Sequence, residues 1–381
     1  MNRKIFDVFV YVSCLAFCLA FTWYAGCDYN WDLRNYYLYA PHAYVNGLLG
    51  KDFMAGSFQS YLNPLPYVPF YLMVRAGWPS LLIGMVLAGV HALNLCLLWP
   101  ICKRLMEVAD DTLWGRRLLA LLCLVLGVSG VMFLVEVGST YTDVSTSVLV
   151  LGGVLLLLKG VDEPERLLRY TFLAGLLLGA ATGLKLTNTP YALAAGVFGL
   201  VPGLRLARRA KFYLMLGAGG LVGAVLSTGQ WCWLLYREYG SPFFPFFNGL
   251  FQAPDFIPAT YRHARFLQAS LLDALMLPFS IIETYEWTYV EISAPEVRFA
   301  AFFGACALLV IAAVLRKWWP ALRTRMGTQV MAAKQQMFVA YVVVGWVVWM
   351  VMFSNGRYLL PLTLLIGAAC GVVLWRLLPA R

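Results

Sequence analysis

Three aspartates and two cations stand where group-transfer chemistry would need them. Asp28 and Asp32 lie in Cys27-Asp-Tyr-Asn-Trp-Asp-Leu-Arg-Asn35, directly after the first apolar run. A carboxylate within hydrogen-bond reach of a hydroxyl can take its proton, and either aspartate can be that general base. The competing reading of Asp32 is the cap of a short helix beginning after it, a common task for aspartate. Asp143, in Ser139-Thr-Tyr-Thr-Asp-Val-Ser145, opens a second apolar run, where capping and a place in a site are compatible. Lys185, in Lys185-Leu-Thr-Asn-Thr-Pro190, and Arg357, in Asn355-Gly-Arg-Tyr-Leu-Leu-Pro361, are isolated cations at the ends of apolar stretches. A lysine there can simply snorkel. It can also meet a phosphate as a compact point charge, and arginine suits the same anion through its fork of donors.

The stretch that gathers most of these groups is Cys27 to Phe70. It mixes Asp28, Asp32, Arg34 and Asp52 with eleven aromatic residues and closes on Asn63-Pro-Leu-Pro66. Acids and aromatics held against a bilayer are costly to leave idle, which makes this segment the expected active-site loop.

The rest of the chain reads as the scaffold for that loop. Of 381 residues, 61% are hydrophobic and only 13% charged, with a mean hydropathy of +0.72. A soluble chain averages about 45–50% apolar and about 25% charged. Folding alone cannot hide this much apolar surface, so a polytopic membrane protein is expected. The formal charge of +10 does not point to nucleic acid, because the basic residues cluster in short loops between apolar runs, the pattern of loops facing anionic lipid. The nine cysteines show no CxxC spacing and mostly sit in or beside apolar runs, where cysteine acts as a small hydrophobe. Only Cys27 and Cys232 approach the outer surface.

At roughly 17–25 residues per span, ten helices fit. The first covers 5–25 and is read as uncleaved, with Arg3 and Lys4 holding its start in the cytoplasm. Others fall near 79–101, 118–136, 142–158, 212–235, 299–315, 337–353 and 359–375. Between residues 170 and 203 both flanks are basic, so the chain must go out and return, as two short helices turning at Lys185 to Pro190. Both termini are then cytoplasmic, and the two long loops, about 26–78 and 236–298, fall outside. The expected architecture is an all-α polytopic membrane protein. It forms one transmembrane unit over 1–381, with short interfacial helices in the loops and no separate soluble domain. The absence of organellar signals places it in a bacterial cytoplasmic (inner) membrane, with the site facing the periplasm.

The second long loop adds Ser241-Pro-Phe-Phe-Pro-Phe-Phe-Asn248, an interfacial belt or re-entrant segment. It also holds Tyr261-Arg-His-Ala-Arg-Phe266, where Arg262 and Arg265 can touch an anionic headgroup or substrate. His263 has no second histidine nearby to share a metal. Walker, GxGxxG, HExxH and nucleophile-elbow patterns are absent, which leaves nucleotide hydrolysis and serine or zinc hydrolysis without support.

Taken together, these motifs resemble the GT-C superfamily of integral-membrane glycosyltransferases, with the polyprenyl-phosphate-dependent mannose and aminoarabinose transferase-like families among them. Asp32-Leu-Arg-Asn-Tyr36, followed by Asn46-Gly47 and Ser60-Tyr-Leu-Asn-Pro64, resembles the family's first-loop pattern. Thr142-Asp143 is similar to its second external acid, and Gly179 to Lys185, ahead of Thr189-Pro190, to its Gly-rich helix ending in lysine. Arg357-Tyr358-Leu-Leu-Pro361 resembles its RYxLP motif. One departure matters: many relatives carry paired acids in the first loop, whereas Leu33 follows Asp32. That leaves a divalent cation, Mg or Mn, open as a cofactor and keeps Asp28 in contention with Asp32. The large soluble C-terminal domain of some members has no counterpart here.

The resemblance implies a polyprenyl-phosphate-sugar donor and a lipid, glycan or protein acceptor. Asp32 would take the acceptor's proton, with Asp28 and Asp143 as further site acids. Lys185 and Arg357 would stabilise the departing phosphate, and Arg34, Asn63, Arg262, Arg265 and Tyr358 would join them in substrate or phosphate binding. A single displacement implies inversion. Two other readings compete. A transporter or flippase for a lipid-linked or amphiphilic solute would need polar residues through the depth of the bundle and internal repeats, neither of which the chain displays. A non-catalytic subunit of an envelope-assembly complex would require Asp28 and Asp32 both to be dispensable.

Overall fold

A computed structural model describes residues 3–107, 112–254, 256–260, 264–283, 285–318 and 331–377. Its elements, in order, are α1 (Arg3–Ala25), α2 (Tyr39–Asn46), β1 (Ala55–Phe58), α3 (Val68–Arg75), α4 (Ser80–Met106), α5 (Leu113–Val128), α6 (Val131–Glu136), α7 (Thr142–Asp162) and α8 (Leu167–Leu184). There follow α9 (Thr189–Ala194), α10 (Leu206–Tyr239), α11 (Asn248–Phe251), α12 (Leu271–Ser280), α13 (Arg298–Trp318), α14 (Ala333–Met352) and α15 (Leu360–Leu377). Apart from the four residues of β1, the regular structure is helical, with short 3₁₀ and π turns.

Among the described residues eight helices are long and apolar enough to cross a membrane. They make this a multi-pass membrane protein, as expected from the composition. The other two expected spans take shorter forms. The run over 118–136 is not one helix: α5 stops at Val128, Gly130 breaks the chain, and α6 adds six residues. Arg298 explains the stop. Its guanidinium donates to the α5 carbonyls of Leu126 (2.6 Å) and Gly127 (2.9 Å) while paired to Glu296, so the helix end is capped from the second loop. A side chain at 130 would collide with that guanidinium, since a Cβ there would lie 2.1 Å from it. The 170–203 stretch is α8, a turn at Leu186–Asn188, then α9 continued by a 3₁₀ segment to Leu200.

α1, α4, α7, α8 and α10 neighbour one another in that order, while α15 packs on α5, α13, α14, α4 and α7. α15 and α7 are the most enclosed spans, with 78% and 67% of their apolar windows buried, against 17% for α10. The outer helices therefore turn apolar faces outward, as lipid-facing helices do. α8 and α10 touch backbone to backbone. Gly175, Gly179 and Gly183 recur every fourth residue, and a Cβ on Gly179 would stand 2.0 Å from the Gly220 carbonyl oxygen. Small residues at this spacing let membrane helices approach closely. The crossing fixes where α8 ends, and so where Lys185 begins.

The two long loops gather at one end. The first holds α2, β1 and α3; the second holds α11 and α12, whose Leu271, Leu272 and Leu275 remain exposed. All nine cysteines are free. Of the expected basic loop between the eighth and ninth spans, Arg323 and Arg325 lie outside the described residues.

Candidate active site

α1 ends at Ala25, and Gly26, at φ +82°, turns the chain out of the helix. Asp28 then stitches the first loop to the segment before α7. It accepts hydrogen bonds from the Thr140 backbone N–H (2.8 Å), the Thr140 hydroxyl (2.7 Å) and the Asn30 amide (2.8 Å). Asn30 in turn accepts from the Leu33 N–H (2.7 Å) and sets the start of the π-helical turn Leu33–Tyr37. Asp32 precedes that turn but makes no capping hydrogen bond with its side chain. It is buried, and one carboxylate oxygen accepts from Arg357 Nη1 (2.7 Å) and from the Tyr37 hydroxyl (3.1 Å).

A wall of tyrosines holds this group. Tyr37 stacks on Tyr67 (centroids 4.3 Å apart, planes at 23°) and meets Tyr141 edge-on. The Tyr67 hydroxyl reaches Thr142 Oγ1 at 3.1 Å, tying the wall to the first residue of α7. Burial is the main cause that pushes the phenols of Tyr36, Tyr37 and Tyr67 up, and it brings Tyr141 up to about 12 against the opposing pull of Arg357. These hydroxyls stay neutral, so Tyr37 is a fixed donor to Asp32.

Asp143 is buried in the first turn of α7, and it too caps nothing. Lys185 Nζ, just past the end of α8, meets it at 2.5 Å. Both ion pairs lie beside Tyr358: Lys185 Nζ is 5.7 Å and Arg357 Cζ 5.9 Å from that ring, and Arg357 Cζ is 5.0 Å from the ring of Tyr141. Arg357 is aimed by its surroundings. Asn355 Oδ1 accepts its backbone N–H (3.0 Å), the Gly356 N–H donates to Tyr289 O (2.7 Å), and the Tyr191 hydroxyl donates to Tyr358 O. Its Nε stands 4.0 Å from Glu291, which also accepts from Asn355 (3.1 Å).

Asp32, Asp143, Lys185, Arg357 and Tyr358 thus meet, drawn from the first loop, α7, α8 and the turn before α15. Asp28 lies at their edge. Asn63 donates to the carbonyls of Gly183 and Ser227 (2.9 Å each), fastening the Pro-rich segment to α8 and α10 beside Lys185. Arg34 is exposed over the Tyr29 ring, and Arg265 is exposed over Trp287 at 3.9 Å, so neither is among the paired cations. Arg262 lies outside the described residues.

Glu136 was not among the expected site residues. It is fully buried at the end of α6, and neither carboxylate oxygen has a hydrogen-bond partner. The one sequence signal for it was an acid closing an apolar run. Burial, then the charge of Asp143, holds its carboxyl well above the usual range, against the pull of Lys185 and Arg357. Glu291 and the tyrosine wall were missed as well. No three His, Cys, Asp or Glu side chains cluster to hold a metal ion among the described residues.

No protein-family model matches the chain, and no curated protein sequence does. Among solved structures, the crystal structure of ArnT from Cupriavidus metallidurans bound to undecaprenyl phosphate is similar over 98% of this chain, with a TM-score of 0.50 and 17% identity. The chain spans 60% of the length of that ArnT chain. At this identity the likeness is one of fold: an all-α polytopic membrane architecture of the ArnT kind.

Proposed function

We propose that this chain is a membrane glycosyltransferase that moves a sugar from a polyprenyl-phosphate carrier to an acceptor hydroxyl at the outer, periplasmic face. The single observation that carries the reading is the double ion pair of Asp32 with Arg357 and Asp143 with Lys185, set around Tyr358 at the loop-rich end of an ArnT-like fold. Two cations enclosed by aromatics and held by two acids form a ready receptor for a phosphate, because an incoming anion can replace a carboxylate as their partner.

The residues take complementary parts. The phosphate of the donor draws Arg357 and Lys185 to itself. Asp32 then loses its cation and becomes a free carboxylate still oriented by Tyr37. The acceptor oxygen attacks the anomeric carbon, Asp32 takes the hydroxyl proton, and the bond to the carrier's phosphate oxygen breaks with its electron pair. Arg357 and Lys185 stabilise the charge left on that phosphate, so no general acid is required. One displacement inverts the anomeric centre. The acceptor is a hydroxyl on a lipid, a glycan or a protein.

Glycosyl transfer by purified protein in lipid, from a panel of polyprenyl-phosphate sugars, tests the reading. Asp32→Asn is expected to lower transfer about 10²–10⁴-fold with donor binding intact, the size of a general-base contribution. Unchanged transfer moves the base to Asp143 or Asp28. No transfer from any donor by wild type overturns the reading in favour of a transporter.

A further inference from the structure

Glu136 is a fully buried ionisable group beside the site that this mechanism leaves unused. Its backbone is firmly set: the carbonyl accepts from the Ser139 hydroxyl (2.8 Å) and N–H (3.1 Å), and the Gly138 N–H donates to His91 Nδ1 (3.0 Å). Its side chain has no hydrogen bond of ordinary geometry, and the Val144 N–H in the first turn of α7 is the one backbone donor whose pull it feels. Both carboxyl oxygens are sealed from solvent without a partner, although α6 packs against α7, which carries Asp143, and α15, which follows directly on the turn that carries Arg357. A buried carboxylate without hydrogen bonds is strongly disfavoured, whereas the neutral acid is tolerated.

The charges around it make the choice consequential. From α7 it feels Asp143, from the end of α8 Lys185, and from the turn before α15 Arg357. His91 of α4 accepts through Nδ1 and faces Ser145 Oγ with Nε2 (2.9 Å), so it is the neutral tautomer and brings no charge. Asp32 and Asp143 pair with the two cations, and from the second loop Glu291 adds a third acid 4.0 Å from Arg357. An ionised Glu136 would add an unmatched negative charge just where an anion must enter.

We infer that Glu136 sets the charge of the phosphate site: protonated, it frees Lys185 and Arg357 to turn to an anionic headgroup, and ionised, it holds them back. This rests on the reading above that these two cations receive the donor's phosphate. Glu136 acts through them and touches no substrate, so it is a positioning residue. An anion bound beside it makes its ionisation harder still. Binding therefore takes up a proton once pH passes the range in which free Glu136 titrates.

The test is binding of a methyl-capped polyprenyl phosphodiester, whose single charge does not titrate, to the full chain in lipid nanodiscs from roughly pH 5 to pH 9. Wild-type affinity should be flat at the acid end and then fall by up to about tenfold per pH unit. Glu136→Gln, an isosteric mimic of the neutral acid, should match the acid-end affinity and show no fall, while Glu136→Asp should keep one. A fall that persists in Glu136→Gln overturns the inference, as does a flat wild-type profile. Loss of binding by a folded Glu136→Gln at every pH overturns it too, since it would assign Glu136 a direct or structural part. Absence of binding by wild type at any pH overturns the transferase reading itself.

Discussion

The bundle carries ion pairs at both ends, and they differ in kind. At the end away from the long loops, Asp7 accepts from Lys103 (2.7 Å) and Trp99 (2.9 Å), Arg104 meets Asp162 (2.6 Å), and Lys334 bridges Asp162 (3.0 Å) and Glu107 (2.9 Å). All but one of these side chains keep about a quarter or more of their surface in the open: 27% and 23% for Lys103 and Asp7, 28% and 24% for Arg104 and Asp162, 55% for Glu107, with Lys334 the exception at 10%. At the loop end, Asp143 and Asp32 retain 3% and 6%, and their cations 15% and 17%. α7 runs between the two, with Asp143 in its first turn and Asp162 its last residue, roughly 30 Å apart at the rise of an α-helix. Open pairs trade water for a partner and gain little. Enclosed pairs pay heavily when one member is removed, yet replacing a carboxylate by another anion leaves the cation satisfied. The far end is built like a largely solvated rim, and the loop end like an enclosed socket, which the proposed function fills with the donor's phosphate.

The sharpest way to break this contrast is to remove one cation from each end. Arg357→Ala strands Asp32 beneath the tyrosine wall and takes away half of the phosphate's counter-charge. Transfer is expected to drop by at least about 10²-fold, and stability by about 3–5 kcal/mol, the cost of leaving a buried charge alone. Asp32→Asn in the same background should restore much of the stability and none of the transfer. Chemical denaturation and donor-dependent transfer read the two effects separately. If Arg357→Ala is as stable as wild type, the socket is open to water and the contrast fails.

Lys185→Ala comes next. The Lys185 ammonium is held by one carboxylate, that of Asp143, and its loss is expected to lower transfer about 10²-fold and to weaken binding of undecaprenyl phosphate. The effect on binding sharpens the division between acids and cations. Asp143→Asn should strengthen phosphate binding by freeing Lys185, whereas Lys185→Ala should weaken it. Weaker binding in both would mean that Asp143 helps to hold the ligand and does not compete with it.

Much of this arrangement could be read from residue types, and the limits have physical reasons. Charged residues at the ends of apolar runs stand out because a bilayer tolerates few, which singled out Asp32, Asp143, Lys185 and Arg357. Apolar runs announced most helices for the same reason. Glu136 did not stand out, because one acid is swallowed in a window of leucines and valines, and because the break at Gly130 depends on Arg298, far along the chain. The wall of Tyr37, Tyr67 and Tyr141 joins residues over a hundred positions apart; composition reveals their number but not their stacking. Asn63 lay in a recognisable motif, yet its bonds to Gly183 and Ser227 belong to the α8–α10 crossing, which only the packed helices define.

Glu136 gives a gentler probe of the socket, one that should raise stability. Its carboxyl is held above its ordinary range in the folded chain, so folding takes up a proton once pH exceeds the unfolded value. Wild type should therefore lose stability as pH rises from about 4.3 towards the folded value, by up to about 1.4 kcal/mol per pH unit. Glu136→Gln should lack this slope and be the more stable protein at pH 7. Parallel slopes in the two proteins would mean that Glu136 finds donors or water.

The smallest expected effect is the one that completes the contrast. Arg104→Ala removes a cation whose partner, Asp162, retains Lys334 at 3.0 Å and stays about a quarter exposed. Neither a stranded charge nor a lost receptor results, because water and Lys334 take over. The loss of stability should fall within about 1 kcal/mol and shrink further in salt, and transfer and phosphate binding should stay at wild-type values. Arg104 and Arg357 are both arginines paired to a single aspartate oxygen at nearly equal distance, 2.6 and 2.7 Å. Any large difference between their alanine variants therefore reflects enclosure together with the second cation that Asp162 keeps, and not bond length. A drop in transfer from Arg104→Ala would show that the far end is coupled to the socket through α7, and the two ends could no longer be treated as separate.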